Sequence, residues 1–451
     1  MIENSNNYEV ASHDRFHVYA FENKYFVFDI ATVSCYEIEE NLFMIFLTSK
    51  QNNIEKILNL EHINSSVPLK PLQPEALSNI SLNVAQVCNL SCIYCYGVDG
   101  EYGLKGKMDE ETAKKSIDFL IAESKDQKHI SITFFGGEPL LNFPLIKKCV
   151  DYSNKQAKKA SKKLSFSITT NGTLFRKEVN DYLNKNNFSV LVSFDGDQET
   201  QDKNRPFRGG KGSYDKTLPK IKEFLTSRNG NATARATVTN HTSDLKLLKT
   251  KLKDLGFRRA NATVATVSEF ANENRGVESK SFEGDRMQDI YDSEDMEARE
   301  ILAAIKNKNS LSPYSSSKIL QSIYQLNDKN KSRFACGVGR KMVGIAINGD
   351  VYPCHRFVGE EKFKLGNVEN FDSSSRTKYS ESFTDSHPVC SKCWAKYQCG
   401  GGGCIQDNEV MKGDVNNVNI RHCVELKYQL KHAINIYSSL DQEDIKFVFE
   451  K

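Results

Sequence analysis

Between Asn79 and Val267 the chain alternates short apolar or β-branched runs with longer amphipathic stretches, and this rhythm limits the fold more than any other feature. The strand-like runs are SLNVAQV (81–87), ISITFFG (130–136), LSFSITT (164–170), VLVSFDG (190–196), TARATVT (233–239) and NATVATV (261–267). Stretches such as ETAKKSIDFLIAES (111–124) and LIKKCVDYSNKQAKK (145–159) separate them with helical periodicity. Strands joined through helices run parallel with right-handed crossovers, so the pattern predicts an α/β fold, either a doubly wound sheet or a partial barrel. The unusual residues sit at the strand ends. The first strand leads into Cys88, the second into Gly136-Gly137-Glu138-Pro139, the third into Thr170-Asn171-Gly172 and the fourth into Asp195-Gly196. In a barrel these positions share the C-terminal rim, where ligands bind.

Residues 1–78 read differently. HVYAFENKYFVFDIATVSCYEI (17–38) suggests short strands with turns and ENLFMIFLTSKQNNIEKILNL (40–60) suggests helix, a small α+β module ahead of a barrel spanning 79–325. The segment 270–333 is polar and helical in character, with SLSPYSSS (310–317) as a loop. The last domain is 326–451, and after Cys336 the chain is rich in Gly and Cys with little core of its own, so metal is expected to stabilise it.

The twelve cysteines are unevenly placed. Cys88, Cys92 and Cys95 form one group; Cys336, Cys354, Cys390, Cys393, Cys399, Cys404 and Cys423 form another; Cys35 and Cys149 stand alone and read as small buried apolar residues. No secretory signal or long apolar span is visible, so a cytoplasmic protein with reduced thiols is expected, and the cysteines point to metal rather than disulfides. A net charge of +3 over 451 residues gives no electrostatic argument for a nucleic-acid or membrane partner. The basic run KQAKKASKK (155–163) reads as the solvated side of a helix.

The sharpest chemical signal is Cys88-Asn-Leu-Ser-Cys92-Ile-Tyr-Cys95. Three thiolates can hold three irons of a 4Fe–4S cluster and leave the fourth iron open to another ligand. A three-cysteine zinc site would need a further ligand, and no histidine lies near the loop. The CxxxCxxC pattern, with Tyr94 before the last cysteine at the end of a first strand, resembles the radical S-adenosylmethionine (SAM) superfamily. Gly136, Gly137 and Glu138 resemble that family's GGEP motif, which implies that they receive the methionyl amino group of SAM. SITTNGT (167–173) and SFDGDQETQDKNR (193–205) resemble its later motifs. The resemblance implies SAM-binding roles for Tyr94, Asn171, Ser193, Asp195, Arg205 and Arg235, with Ser193 and Asp195 reaching the ribose.

The C-terminal cysteines resemble the SPASM extension of radical SAM peptide maturases, which implies two auxiliary 4Fe–4S clusters. Cys390, Cys393, Cys399 and Cys423 would hold the outer one, and Cys336, Cys354 and Cys404 the inner one, with an open iron. Four glycines (400–403) precede Cys404, where the family usually has three residues. A four-cysteine zinc knuckle on the outer set remains the alternative.

The segments 337–368 and 390–404 resemble the maturases that form thioether cross-links in sactipeptides and ranthipeptides, and the N-terminal module resembles their winged-helix-like leader-recognition domain. That resemblance implies a Cys-containing precursor peptide with a leader as substrate, and an electron donor such as flavodoxin or ferredoxin. A substrate thiolate would bind the inner cluster, with His355 beside it. Sulfatase formylglycine formation or carbon–carbon cross-linking would use the same motifs, and a zinc-bound peptide-binding module without turnover is the reading from another class.

Overall fold

In the computed structural model, the described residues are 9–12, 15–60, 74–239, 241–242, 244–265, 285–418 and 420–450. The last two residues of the 261–267 run and the first part of 270–333 lie outside them. Compactness divides the chain into one unit of residues 1–71, 291–336 and 382–451 and another of 72–290 and 337–381. These units do not coincide with the sequence segments 1–78, 79–325 and 326–451, because 337–381 belongs with the barrel strands and 291–336 with the N-terminal module.

In the first unit, four antiparallel strands, β1 (Glu9–Ser12), β2 (Phe16–Phe21), β3 (Lys24–Asp29) and β4 (Ser34–Ile38), form a sheet in sequence order, followed by helices α1 (Glu40–Thr48) and α2 (Gln51–Ile57). Glu22 and Asn23 both take positive φ (49° and 61°), the two-residue turn whose twist suits a hairpin. The sheet buries both faces. Phe16, Val18, Ala20 and Val27 pack with Phe43, Phe46 and Ile54 of the helices. Tyr19, Phe21, Phe26 and Phe28 join the larger core of Trp394, Leu430, Ala433 and Ile434. His17 stacks on Trp394 with ring centroids 4.3 Å apart. Arg15 closes the small core by pairing with Asp29 and Glu55, both at 2.8 Å and all buried. A buried ion pair contributes little net stability, but loss of one partner leaves an unpaired buried charge.

The second unit contains the expected partial barrel. Its parallel strands are β5 (Asn79–Gln86), β7 (His129–Gly136), β8 (Lys163–Thr170), β9 (Ser189–Ser193), β10 (Thr233–Val238) and β11 (Arg259–Val264), each hydrogen-bonded to the next in that order. Sequential order without a switch point is a singly wound sheet, so of the two architectures left open by the sequence the barrel type is present. The small strand β6 (Gly106–Lys107) pairs with β5, and β12 (Met342–Ile345) extends the sheet in parallel on its other side.

Each barrel strand has two unlike faces. Ile80, Leu82, Val84, Ile130, Ile132, Phe134, Phe166, Ile168, Val190 and Val192 enter the core shared with the helices. The alternate residues are largely hydroxyls and amides: Asn79 donates to the Ser131 and Thr133 hydroxyls, and Ser167 to Thr133 at 2.8 Å. Because side chains alternate across a strand, this polar face is the concave one. Cys149 is buried in the barrel core, and Cys35 packs against the core of the first unit and contacts the Ser438 hydroxyl at 3.7 Å. No helix among the described residues is long and apolar enough to cross a membrane.

Candidate active site

The three-cysteine loop is fixed by its neighbours rather than by secondary structure of its own. Residues 204–208 run alongside it: the amides of Ser91 and Ile93 donate to the carbonyls of Pro206 and Asn204, at 2.8 and 3.0 Å. Arg208 donates from Nε to the Cys88 carbonyl at 2.7 Å, and its terminal nitrogen reaches the Asp99 carbonyl and Glu101 at 2.9 Å. Asn171 donates to Asn89 at 2.9 Å and approaches Cys88 Sγ at 3.8 Å. Neither Arg208 nor Asn89 was marked by the sequence: Asn89 is one of the unspecified positions between Cys88 and Cys92, and Arg208 lies just beyond the 193–205 motif.

The glycine pair serves close backbone approach. Gly137 and Glu138 donate their amides to the carbonyls of Ala85 and Val87. A Cβ on Gly136 would meet the Ala85 carbonyl oxygen at 2.1 Å, and one on Gly137 the Val87 oxygen at 2.4 Å. These contacts hold the end of β7 against the residues that lead into Cys88.

Glu138 is wholly buried and accepts hydrogen bonds from Leu140 N (3.0 Å), Thr170 Oγ1 (2.8 Å) and Asn171 N (2.8 Å). Burial pushes its carboxyl up to about 7 in spite of these donors. Each carboxylate oxygen has two lone pairs, so Oε2, with one donor, retains capacity for an ammonium group. Asp195 is also wholly buried and accepts from Tyr94 Oη (2.8 Å), Asn204 Nδ2 (3.2 Å) and Thr237 N (3.0 Å). Burial raises its carboxyl while Arg205 opposes the rise. Asp195 is thus engaged by the chain itself, and Ser193 is the more open of the two expected ribose ligands.

Arg205 donates to the Tyr94 hydroxyl, and its buried Nε has no partner. Its charge acts on Cys92, Cys88, Glu138 and Asp195. Burial pushes the Cys88 thiol up to about 11 and the Cys92 thiol up to about 12, while Arg205 draws both down. Iron binds the thiolate, so a buried cation beside sulfurs that sense one another suits an anionic cluster. The loop therefore fits the cluster its spacing implies. Arg235 stands apart from this group. It is exposed, lies opposite Ser193 in the register of β9 and β10, and acts on His355.

Cys354 and His355 approach the same rim from the other side of the sheet. A Cβ on Gly344 would meet the Cys354 carbonyl carbon at 2.6 Å, which explains the glycine in β12. The His355 ring lies 4.5 Å from that of Phe135, and the Tyr96 hydroxyl senses both Cys95 and Cys354. Burial, Arg356 and Arg235 push the His355 imidazole down to about 3, making it a weak proton acceptor.

In the other unit, Cys393, Cys399 and Cys423 lie close enough to Cys390 for their charges to raise its thiol, and Cys393 and Cys399 likewise raise that of Cys423. Cys336 and Cys404 belong to this unit and Cys354 to the barrel unit, so the expected inner set is divided between them. Among the described residues no three His, Cys, Asp or Glu side chains converge as ligands of a single ion. A cluster asks something else of its thiolates, each of which binds its own iron. A cavity of about 290 Å³ at the N-terminal ends of the strands, lined by Asn184, Asn187, Ser189, Arg228 and Arg259, contains none of the expected site residues.

Residues 82–228 match the family model of the radical SAM superfamily, and residues 336–394 match that of the SPASM iron–sulfur cluster-binding domain. The chain carries a radical SAM domain and a SPASM domain. Its cofactors are SAM and 4Fe–4S clusters. It is 25% identical over 361 residues to the antilisterial bacteriocin subtilosin biosynthesis protein AlbA of Bacillus subtilis, covering 79% of this chain and 70% of that one. It is 25% identical over 380 residues to a cysteine-type anaerobic sulfatase-maturating enzyme of Clostridium perfringens (strain 13 / Type A), covering 81% and 94%. The fold matches that of native anSMEcpe with bound AdoMet at a TM-score of 0.64 and 21% identity, over 80% of this chain and 100% of that one. Other curated relatives are matched over only 47%, 37% and 34% of their own length.

Proposed function

We propose that this radical SAM enzyme modifies a ribosomally made, cysteine-containing peptide, forming thioether bonds between cysteine sulfur and a carbon of the same peptide. The observation that carries the reading is the position of Cys354 and His355 beside Tyr96 and Phe135, next to Cys95 at the barrel rim. A cluster ligand there would bring a sulfur-binding iron close to where SAM is cleaved. Similarity to a subtilosin biosynthesis protein supports a precursor peptide as substrate.

Cys88, Cys92 and Cys95 would hold the SAM-binding cluster, and Cys354 is the member of the expected inner auxiliary set that lies in the same unit. A reduced cluster with bound SAM supplies one-electron cleavage to methionine and a 5′-deoxyadenosyl radical able to take a hydrogen atom from carbon. The chain's own part is orientation. Glu138 would accept the SAM ammonium, Asn171 and Arg208 hold the loop, Tyr94 is braced between Asp195 and Arg205, and Ser193 would meet the ribose. The polar concave wall gives hydrogen-bonding partners to a peptide backbone entering the barrel. The N-terminal sheet, covered on both faces, has only its edges for an added leader strand.

A second reading is favoured by the match to nearly the whole of a cysteine-type sulfatase-maturating enzyme: oxidation of a single cysteine or serine. One experiment separates the two. The most cysteine-rich short peptide encoded beside this gene is incubated anaerobically with enzyme, SAM and reductant, and its mass is measured before and after alkylation of free thiols. Loss of two hydrogens per bond, with one thiol fewer open to alkylation for each bond and all sulfur retained, supports the thioether. Loss of a sulfur atom indicates oxidation of cysteine to an aldehyde, and SAM cleavage with every thiol still free retires the thioether.

A further inference from the structure

The four consecutive glycines before Cys404 have no part in the proposed chemistry. All four take positive φ, 82°, 87°, 66° and 71° at residues 400–403. A Cβ on Gly400 would meet the Phe334 carbonyl oxygen at 2.4 Å, and one on Gly403 the His422 ring at 2.7 Å. The run follows the short helix Lys396–Cys399, and Asn408 fixes it by donating to the Gly402 carbonyl at 2.8 Å. Successive left-handed residues turn their amides toward one side, a concavity suited to anions. Here the Gly400 and Gly403 amides donate to the Lys396 and Gly401 carbonyls, at 2.9 and 3.0 Å, and those of Gly401 and Gly402 face sulfur, acting on Cys399 and Cys390.

Lys318 approaches the same sulfur. Its Nζ donates to the Gln398 carbonyl at 2.9 Å, which sets the ammonium beside Cys399. The anchoring carbonyl is neutral, so the lysine charge is left to act on the thiolate. Cation and amides therefore converge on two of the four thiols assigned to the outer set.

We propose that the glycine run 400–403 and Lys318 form an amide-and-ammonium cradle that raises the reduction potential of the auxiliary cluster held by Cys390, Cys393, Cys399 and Cys423. One-electron reduction adds one negative charge to the cluster and its thiolates, and inward-facing N–H groups and a fixed cation stabilise the reduced form more than the oxidised one. The inference rests on the outer ligand set. Lys318 acts as a positioning residue through charge and touches no substrate.

The test uses full-length protein in which Cys88→Ala, Cys92→Ala and Cys95→Ala remove the SAM-binding site and leave only auxiliary clusters. Iron and sulfide are counted, and midpoint potentials are measured by electrode titration with mediators, read by EPR. Lys318→Met is expected to shift one midpoint potential downward with iron content unchanged, and Lys318→Arg to restore it. Pulsed EPR of the reduced cluster in D2O is expected to show exchangeable deuterons coupled to it. Unmoved potentials, or no coupled deuterons, would overturn the cradle while leaving the ligand set standing. Absence of iron in this background would overturn the ligand set and the cradle together, and iron loss on Lys318→Met alone would make the lysine a structural support instead.

Discussion

The proposed role of Glu138 as acceptor of the SAM ammonium links its protonation to SAM binding. The rise of its carboxyl from the ordinary 4.5 to about 7 corresponds to roughly 3 kcal/mol against the ionised form, at about 1.36 kcal/mol per tenfold change. A bound ammonium favours the ionised carboxylate, so SAM binds the deprotonated site and its apparent Kd scales as 1 + 10^(pKa − pH). Relative to pH 8, binding at pH 6 should weaken about tenfold, with uptake of a proton by the ligand-free site on acidification. The sign for stability is the opposite. Because the folded state holds this proton more tightly than the unfolded chain, the contribution is fully present below about pH 4.5 and is lost as pH rises through about 7. The assay is anaerobic calorimetry of SAM binding to reconstituted enzyme between pH 6 and 8, in buffers of different ionisation heat. Glu138→Gln should bind more weakly at pH 8 and lose the pH dependence. A wild-type Kd that is flat over this range, without proton exchange, would refute the reasoning.

Gly137→Ala would set a methyl 2.4 Å from the Val87 carbonyl oxygen and should cost about 1–3 kcal/mol, seen as a lower Tm and reduced iron retention. Arg208→Ala removes three hydrogen bonds from the loop and should speed iron loss to a chelator, with a stability change of only about 1 kcal/mol because the side chain is partly exposed. Trp394→Ala opens the core beneath His17 and Tyr19 and should lower stability by ~3–5 kcal/mol in denaturant unfolding.

Much of the barrel was legible because its signal is local. Each of the six expected strand runs overlaps a strand, and the motifs fall at the strand ends. The polar concave face was also written in the sequence, as Ser, Thr and Asn alternating with Ile, Val and Phe, but a search for apolar runs passes over it. Ion pairs and loop anchors were not legible. Arg208 and Asn89 matter because 204–208 folds back along the cysteine loop, a contact between segments more than a hundred residues apart. The compact units were hidden for the same reason, since β12 returns to pair with β5 across more than 250 residues. The glycine run stood out as a departure in spacing, yet its meaning depends on four positive φ angles and on which sulfurs the amides face.

The central claim is that Cys88, Cys92 and Cys95 bind the cluster that cleaves SAM. Its most direct test is 5′-deoxyadenosine formation by anaerobically reconstituted, reduced protein, compared between wild type and the three single Cys→Ala variants. The account predicts 5′-deoxyadenosine and methionine from the wild type and none from any variant. Undiminished cleavage by Cys88→Ala, or a colourless wild type that binds zinc and leaves SAM intact, would contradict it.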